Sequence, residues 1–122
     1  MSDARAQAQA ALDELVGQGL LVAGLVGRDG LPILLRFSKP VQEETFSAMS
    51  AALLGAAEAA LLELAETGSA SATIEAGAVR LVVAGLDDVH LLVLAAPASL
   101  PAAKLAAATA SGRAKLAKLV GG

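Results

Sequence analysis

Few side chains in this 122-residue chain could do chemistry, and their spacing limits what each could do. The single histidine, His90, opens an apolar strand just after Asp87 and Asp88. An imidazole acts as general base only with a nucleophile or substrate beside it and usually an orienting acid. A structural, partly exposed histidine is therefore the expectation. Asp87 and Asp88 are adjacent carboxylates with no third acid spaced to join them, so they read as a turn and not as a metal pair. Gly24 lies within a strand and Gly27 at its end, and no Gly-Lys-Ser/Thr follows, so the chain is not expected to bind GTP itself. With no cysteine there is no disulfide, thiolate metal site or cysteine nucleophile. The residues assign no catalytic centre, no cofactor site and no metal site.

The remaining charged clusters have structural readings. Arg28-Asp29-Gly30-Leu31 supplies what a hairpin turn requires, with Asp29 and Gly30 at its tip, and is read as a turn and not as a ligand loop. Lys104, Arg113, Lys115 and Lys118 lie in the last predicted helix, where Lys104, Lys115 and Lys118 share a face. Cations near a helix C-terminus are favoured by its dipole, so a solvated face accounts for them. An acidic partner or an anionic membrane surface is the alternative.

These residues must be carried by a run of short elements. Residues 4 to 16 form an amphipathic helix, with Ala8, Ala11, Leu12, Leu15 and Val16 inward and Gly17 and Gly19 ending it. Leu20 to Val26 is a strand apolar on both faces, as in the middle of a covered sheet. Pro32 to Phe37 returns as an edge strand, marked by its proline and Arg36. After a helix over 40–66 come strands at Ala72–Ala76, Val79–Gly85 and His90–Ala96. A last helix runs from Leu100-Pro101 to Val120, capped by Ser99, with Leu105, Leu116, Leu119 and Val120 inward. Its Ser111-Gly112 pair weakens the middle by about 1 kcal/mol. The short turns imply antiparallel neighbours. Polarity puts the first and fifth strands in the centre and the second and third at the edges.

The helix over 40–66 is the most informative element because it is apolar on both sides. One face collects Phe46, Met49, Leu53, Ala57, Ala60, Leu61 and Leu64 and is expected to be core. The other collects Ala48, Ala51, Ala52, Gly55, Ala59 and Leu62, small residues that let another helix come close. One small domain has little material to cover both faces, so a partner chain is the expected cover.

Composition narrows the classes further. Hydrophobic residues make up 56% and aromatics 2%, so one domain with a core of Ala, Leu and Val is expected, and disorder is not. The net charge of −3, with Phe37 and Phe46 as the only aromatic rings, argues against nucleic acid. No secretory leader is read at the N-terminus, and uninterrupted apolar runs such as 51–57 and 91–98 fall short of the ~20 residues of a span. A soluble cytoplasmic protein without membrane insertion is the expectation.

The whole order resembles the roadblock/dynein light-chain superfamily, close to its bacterial and archaeal members that accompany small Ras-like GTPases. The resemblance is carried by Leu12-Asp13-Glu14-Leu15, by the hairpin from Gly24 to Ile33, and by the run from Glu44 to Glu58. It implies an α+β, profilin-like fold, α-β-β-α-β-β-β-α, with a five-stranded antiparallel sheet in the order 2-1-5-4-3 sandwiched by helices over residues 1–122. It also implies a homodimer, or a heterodimer with a paralogous roadblock chain, whose central helices pack antiparallel and whose third strands extend the sheet. The predicted interface is Ala48, Ala51, Ala52, Gly55, Ala59 and Leu62 on the helix, with Thr73 and Glu75 on the third strand. The implied role is a non-catalytic adaptor or regulator of a small Ras-like GTPase, as scaffold or activating partner. A small-molecule sensor domain is the runner-up, for which convergent polar groups are not expected in this core. A structural dimerisation module assembling through edge strands is the third.

Overall fold

A computed structural model describes residues 3–121. The elements are α1 (Asp3–Gly17), β1 (Val22–Gly27), β2 (Pro32–Phe37), α2 (Glu43–Leu62), β3 (Ser71–Ala76), β4 (Val79–Gly85), β5 (His90–Pro97) and α3 (Ala102–Gly121). The sheet is antiparallel throughout, in the order β2-β1-β5-β4-β3, so the Pro32 strand and the polar β3 are its edges.

The strands lacking a polar face lack it because both faces of the sheet are covered. Along β5, side chains alternate: Leu91, Val93 and Ala95 pack with Val22, Val26, Val83 and Leu54 on the α2 side. Leu92, Leu94 and Ala96 pack with Leu12, Leu15, Leu105 and Leu116 under α1 and α3. The result is three layers, with α2 alone on one face of the sheet and α1 beside α3 on the other. Gly112 is buried, and a Cβ there would lie 3.1 Å from Leu92 Cδ2 and 3.2 Å from Leu15 Cδ1. The glycine that weakens α3 locally is what lets α3 lie close to both α1 and the sheet.

The bounds of α2 differ from the expected 40–66. Pro40 and Val41 stay outside the helix, and Gln42 is extended (φ −78°, ψ 102°) with no side-chain cap bond. At the other end the backbone closes on itself: the Ala65 N–H donates to Leu62 O (2.9 Å) and the Glu66 N–H to Leu61 O (3.0 Å). This is the Schellman ending, with Ala65 at φ 61° in the left-handed place that glycine usually fills. Pro101, not Ser99, stands before α3, and its carbonyl accepts from the N–H groups of Lys104 and Leu105.

Candidate interaction surface

The face α2 turns to the sheet is not the one with the largest side chains. Its buried residues are Ser47, Ser50 and Leu54, flanked by the half-buried Ala51, Ala57 and Leu61. Small serines let the helix axis sit close to the strands. The expected core face is therefore rotated outward at its edge: Met49 is 61% exposed and Leu64 is 75% exposed. Ala60 is exposed too, whereas Phe46 and Leu53 pack against the cluster as expected.

What α2 shows to solvent is a second apolar face. Met49, Ala52, Ala56 and Ala59 run along it in helical spacing, with Gly55 and the 59% exposed Leu62 at its margin. Of the residues expected there, Ala52, Gly55, Ala59 and Leu62 are exposed, while Ala48 and Ala51 are half-buried. Outside the helix's own adjoining backbone, no atom of the chain lies within 4 Å of where a Gly55 Cβ would stand, so packing within the protomer does not call for a glycine at mid-helix. By length and composition α2 could cross a membrane, with 20 residues and a mean hydropathy of 1.5. Counting uninterrupted apolar runs misses this, because Glu58 and the serines interrupt the runs without making the helix polar. One face of α2 is already spent on the sheet, which leaves only the opposite face to be covered.

Beside this face runs the free edge of β3. Register with β4 pairs Ile74 with Leu81, whose side chain belongs to the cluster under α2, so Ile74 (44% exposed) lies on the α2 side. Thr73 pairs with Val82, which belongs to the cluster under α3. Thr73 and Glu75 thus direct their side chains to the α3 side, away from α2. An edge contact through them uses the backbone, and the side chains that continue α2's apolar face are Ile74 and its neighbours at alternate positions.

A smaller set of polar residues around Arg28 builds the frame that holds α2 against the hairpins. Gly30 (φ +89°) forms the β1–β2 tip, where the Asp29 carboxylate accepts from the Leu31 N–H at 3.0 Å. That tip touches α2: a Cβ on Gly30 would stand 3.3 Å from the Ala48 Cα. Arg28 reaches further than a turn residue needs to. Its Nε donates to the Asp87 carbonyl (2.6 Å) and its Nη1 to Glu58 Oε1 of α2 (2.6 Å). It passes over Gly85, where a Cβ would lie 2.6 Å from Nη2. One guanidinium thereby ties the first hairpin, α2 and the β4–β5 turn.

That turn is organised by Asp87. Its Oδ1 accepts from the backbone N–H groups of Val89 (2.8 Å) and His90 (2.7 Å), and the His90 Nδ1 lies 2.9 Å and 3.0 Å from the two carboxylate oxygens. The hydrogen bond from Val89 holds the carboxyl below its usual value; burial opposes this, and the His90 ring and backbone add to it. The acid spends its oxygens on this turn, and His90 is a turn clasp. Among the described residues no three His, Asp or Glu side chains gather as metal ligands would.

This arrangement of layers, strand order and crossing helix is the roadblock/LC7 fold, in the form seen in MglB proteins. Gliding protein MglB from Thermus thermophilus aligns with a TM-score of 0.85 at 21% identity, covering 93% of this chain and 87% of that one. An MglB in a tetrameric arrangement aligns at 0.84 and 21% identity, covering 92% of this chain and 86% of that one. A roadblock/LC7 domain from Streptomyces avermitilis aligns at 0.84 and 18% identity over 93% of this chain and 98% of its own. The sequence matches no protein-family model and no curated protein.

Proposed function

We propose that this chain is a dimeric, non-catalytic adaptor that binds a small Ras-like GTPase in the cytoplasm. The observation that carries the reading is the outer face of α2, where Met49, Ala52, Ala56 and Ala59 stand in water beside a free sheet edge. Apolar surface gains roughly 25 cal/mol per Å² when it is covered. A second copy's α2 laid antiparallel covers it, with the alanines and Gly55 setting a short interaxial distance. The cost of a mid-helix glycine, about 1 kcal/mol, then has a purpose between chains. A paralogous roadblock chain offers the same complementarity. A structural neighbour, the MglB in a tetrameric arrangement, self-associates.

The GTPase partner is proposed from the resemblance to roadblock proteins that accompany such enzymes. The adaptor acts on the partner's own catalytic residues or holds the partner in place, since phosphoryl transfer depends on positioning. Affinity capture with the full chain, run in parallel with a GTP analogue and with GDP, tests it. Retention of a small GTPase in one nucleotide state supports the reading, and a hydrolysis assay then separates activator from scaffold. Capture of no GTPase in either state overturns it.

A further inference from the structure

The two helices on the far side of the sheet do not cover its last strand. α1 lies over β2 and β1 and α3 over β5 and β4, and between α3 and the β3–β4 ribbon a groove of about 480 Å³ is left open. That size lies within the roughly 300–1,000 Å³ of small-molecule sites. The groove faces away from α2, so pairing through α2 leaves it accessible.

Its two ends differ chemically. At the Gly85 end, Arg113 of α3 is held by neutral oxygens: its Nη2 donates to Ser69 Oγ (2.6 Å) and to the Gly85 carbonyl (3.1 Å). Among the described residues no carboxylate stands within ion-pair distance of it. Ser71 and Thr109 line the same end; Thr109 gives its hydrogen to Leu105 O (2.8 Å), which leaves its oxygen lone pairs. The middle is apolar, walled by Val82, Leu105 and Ala106. At the far end Arg80 donates to the Leu100 carbonyl (2.9 Å) and already has an acid, Glu75, at 3.5 Å. The positions from Arg80 to Gly85 span roughly 16 Å of strand. A fixed, uncompensated guanidinium with hydroxyls around it, opening onto a long apolar trough, matches a ligand with an anionic head and a linear tail.

We propose that this groove binds a small amphiphilic carboxylate, its head on Arg113 and its tail along Val82, Leu105 and Ala106. The proposal does not rest on the adaptor reading, although Thr73 and Glu75, which border the groove, lie on the β3 edge expected to meet a second chain. The test is an amide-resolved NMR titration of the full chain with decanoate, kept below its micelle concentration, with decan-1-ol and acetate as controls. The expected result is saturable shifts centred on Ser71, Thr73, Thr109 and Arg113 with decanoate, and no saturation with either control. Arg113→Gln weakens binding about tenfold by removing a charge-assisted contact. Ala106→Phe, at an exposed position of α3 that keeps both arginines, abolishes it by filling the trough; this variant keeps the test open if Arg113→Gln fails to fold. Absence of saturable shifts overturns the proposal. Equal binding of decan-1-ol, or shifts on α2 in place of the groove, does so too. So does decanoate binding that both folded variants leave unchanged. An acidic peptide that occupies the groove while decanoate does not would assign it to a protein partner and refute the small-ligand reading.

Discussion

Replacing Gly55 with alanine separates the two demands on α2, because the single added methyl acts in opposite directions in the monomer and in the proposed dimer. Within the protomer no other element and no side chain beyond its immediate chain neighbours lies within 4 Å of the new Cβ, so no clash arises. The helix gains about 1 kcal/mol from the smaller backbone entropy loss of alanine at a mid-helix position. For a domain of this size that raises the melting temperature by roughly 4 °C. Against a second α2 the same methyl enters a seam set by small residues, where overpacking costs about 1–3 kcal/mol. Gly55→Ala is therefore expected to be more stable than the parent at concentrations where both are monomeric. It is also expected to dissociate more readily, with a dimer dissociation constant raised at least about fivefold. Urea unfolding at several protein concentrations reads both, because a dimer's apparent stability follows concentration and a monomer's does not. If Gly55→Ala gains the same stability at every concentration and its mass matches the parent's, α2 does not make the close contact assigned to it. Gly55→Glu places a charge in the same seam and is expected to abolish the dimer outright; a normal dimer would contradict the interface.

Three further substitutions test the frame around that face. Arg28→Ala removes the bonds to Asp87 O and Glu58 and leaves a half-buried carboxylate without its partner, a loss of about 1–3 kcal/mol readable as a lower urea midpoint. The Asp87 carboxyl titrates lower in the folded chain than when unfolded, so its contribution is present above the ordinary carboxylate value near ~4 and is lost as pH falls through the lowered value. Asp87→Asn should thus destabilise the chain at neutral pH, and its deficit should shrink in strong acid; a deficit that stays constant from neutral pH into strong acid would contradict the assignment. Ala65→Gly relieves a left-handed alanine at φ 61° and should stabilise by about 1 kcal/mol in thermal unfolding; a lower melting temperature would refute the strain.

Strand order is legible because burial on both faces leaves a mark in the sequence. β5 carries no polar position from Leu91 to Ala96, and β3 alternates polar and apolar residues, which separates centre from edge. The bifacial character of α2 is legible for the same reason. Its rotation is not: hydrophobicity ranks Met49 above Ser47, whereas close approach to the sheet favours the smaller side chain, so the serines point in and the methionine out. The helix end escapes notice because alanine stands where glycine would have announced a left-handed residue.

Long-range partners lie beyond periodicity altogether. Arg28 satisfies a turn locally, and only the fold brings it to Glu58 and Asp87, thirty and fifty-nine positions away. Arg80 and Arg113 likewise meet one groove from a strand and a helix, and no spacing in the chain announces polar groups converging on an apolar trough. Gly112 reads as a local weakness and is instead a packing contact with Leu92 and Leu15.

The proposed pairing covers the outer face of α2 with a second copy. It is tested most directly by the mass of the full chain in solution, from light scattering with refractive-index detection, since the chain has no Trp or Tyr to absorb. Twice the chain mass of 12.0 kDa is expected at micromolar concentration, reduced to one chain by Gly55→Glu. A parent protein that remains at 12.0 kDa across that range would contradict the pairing.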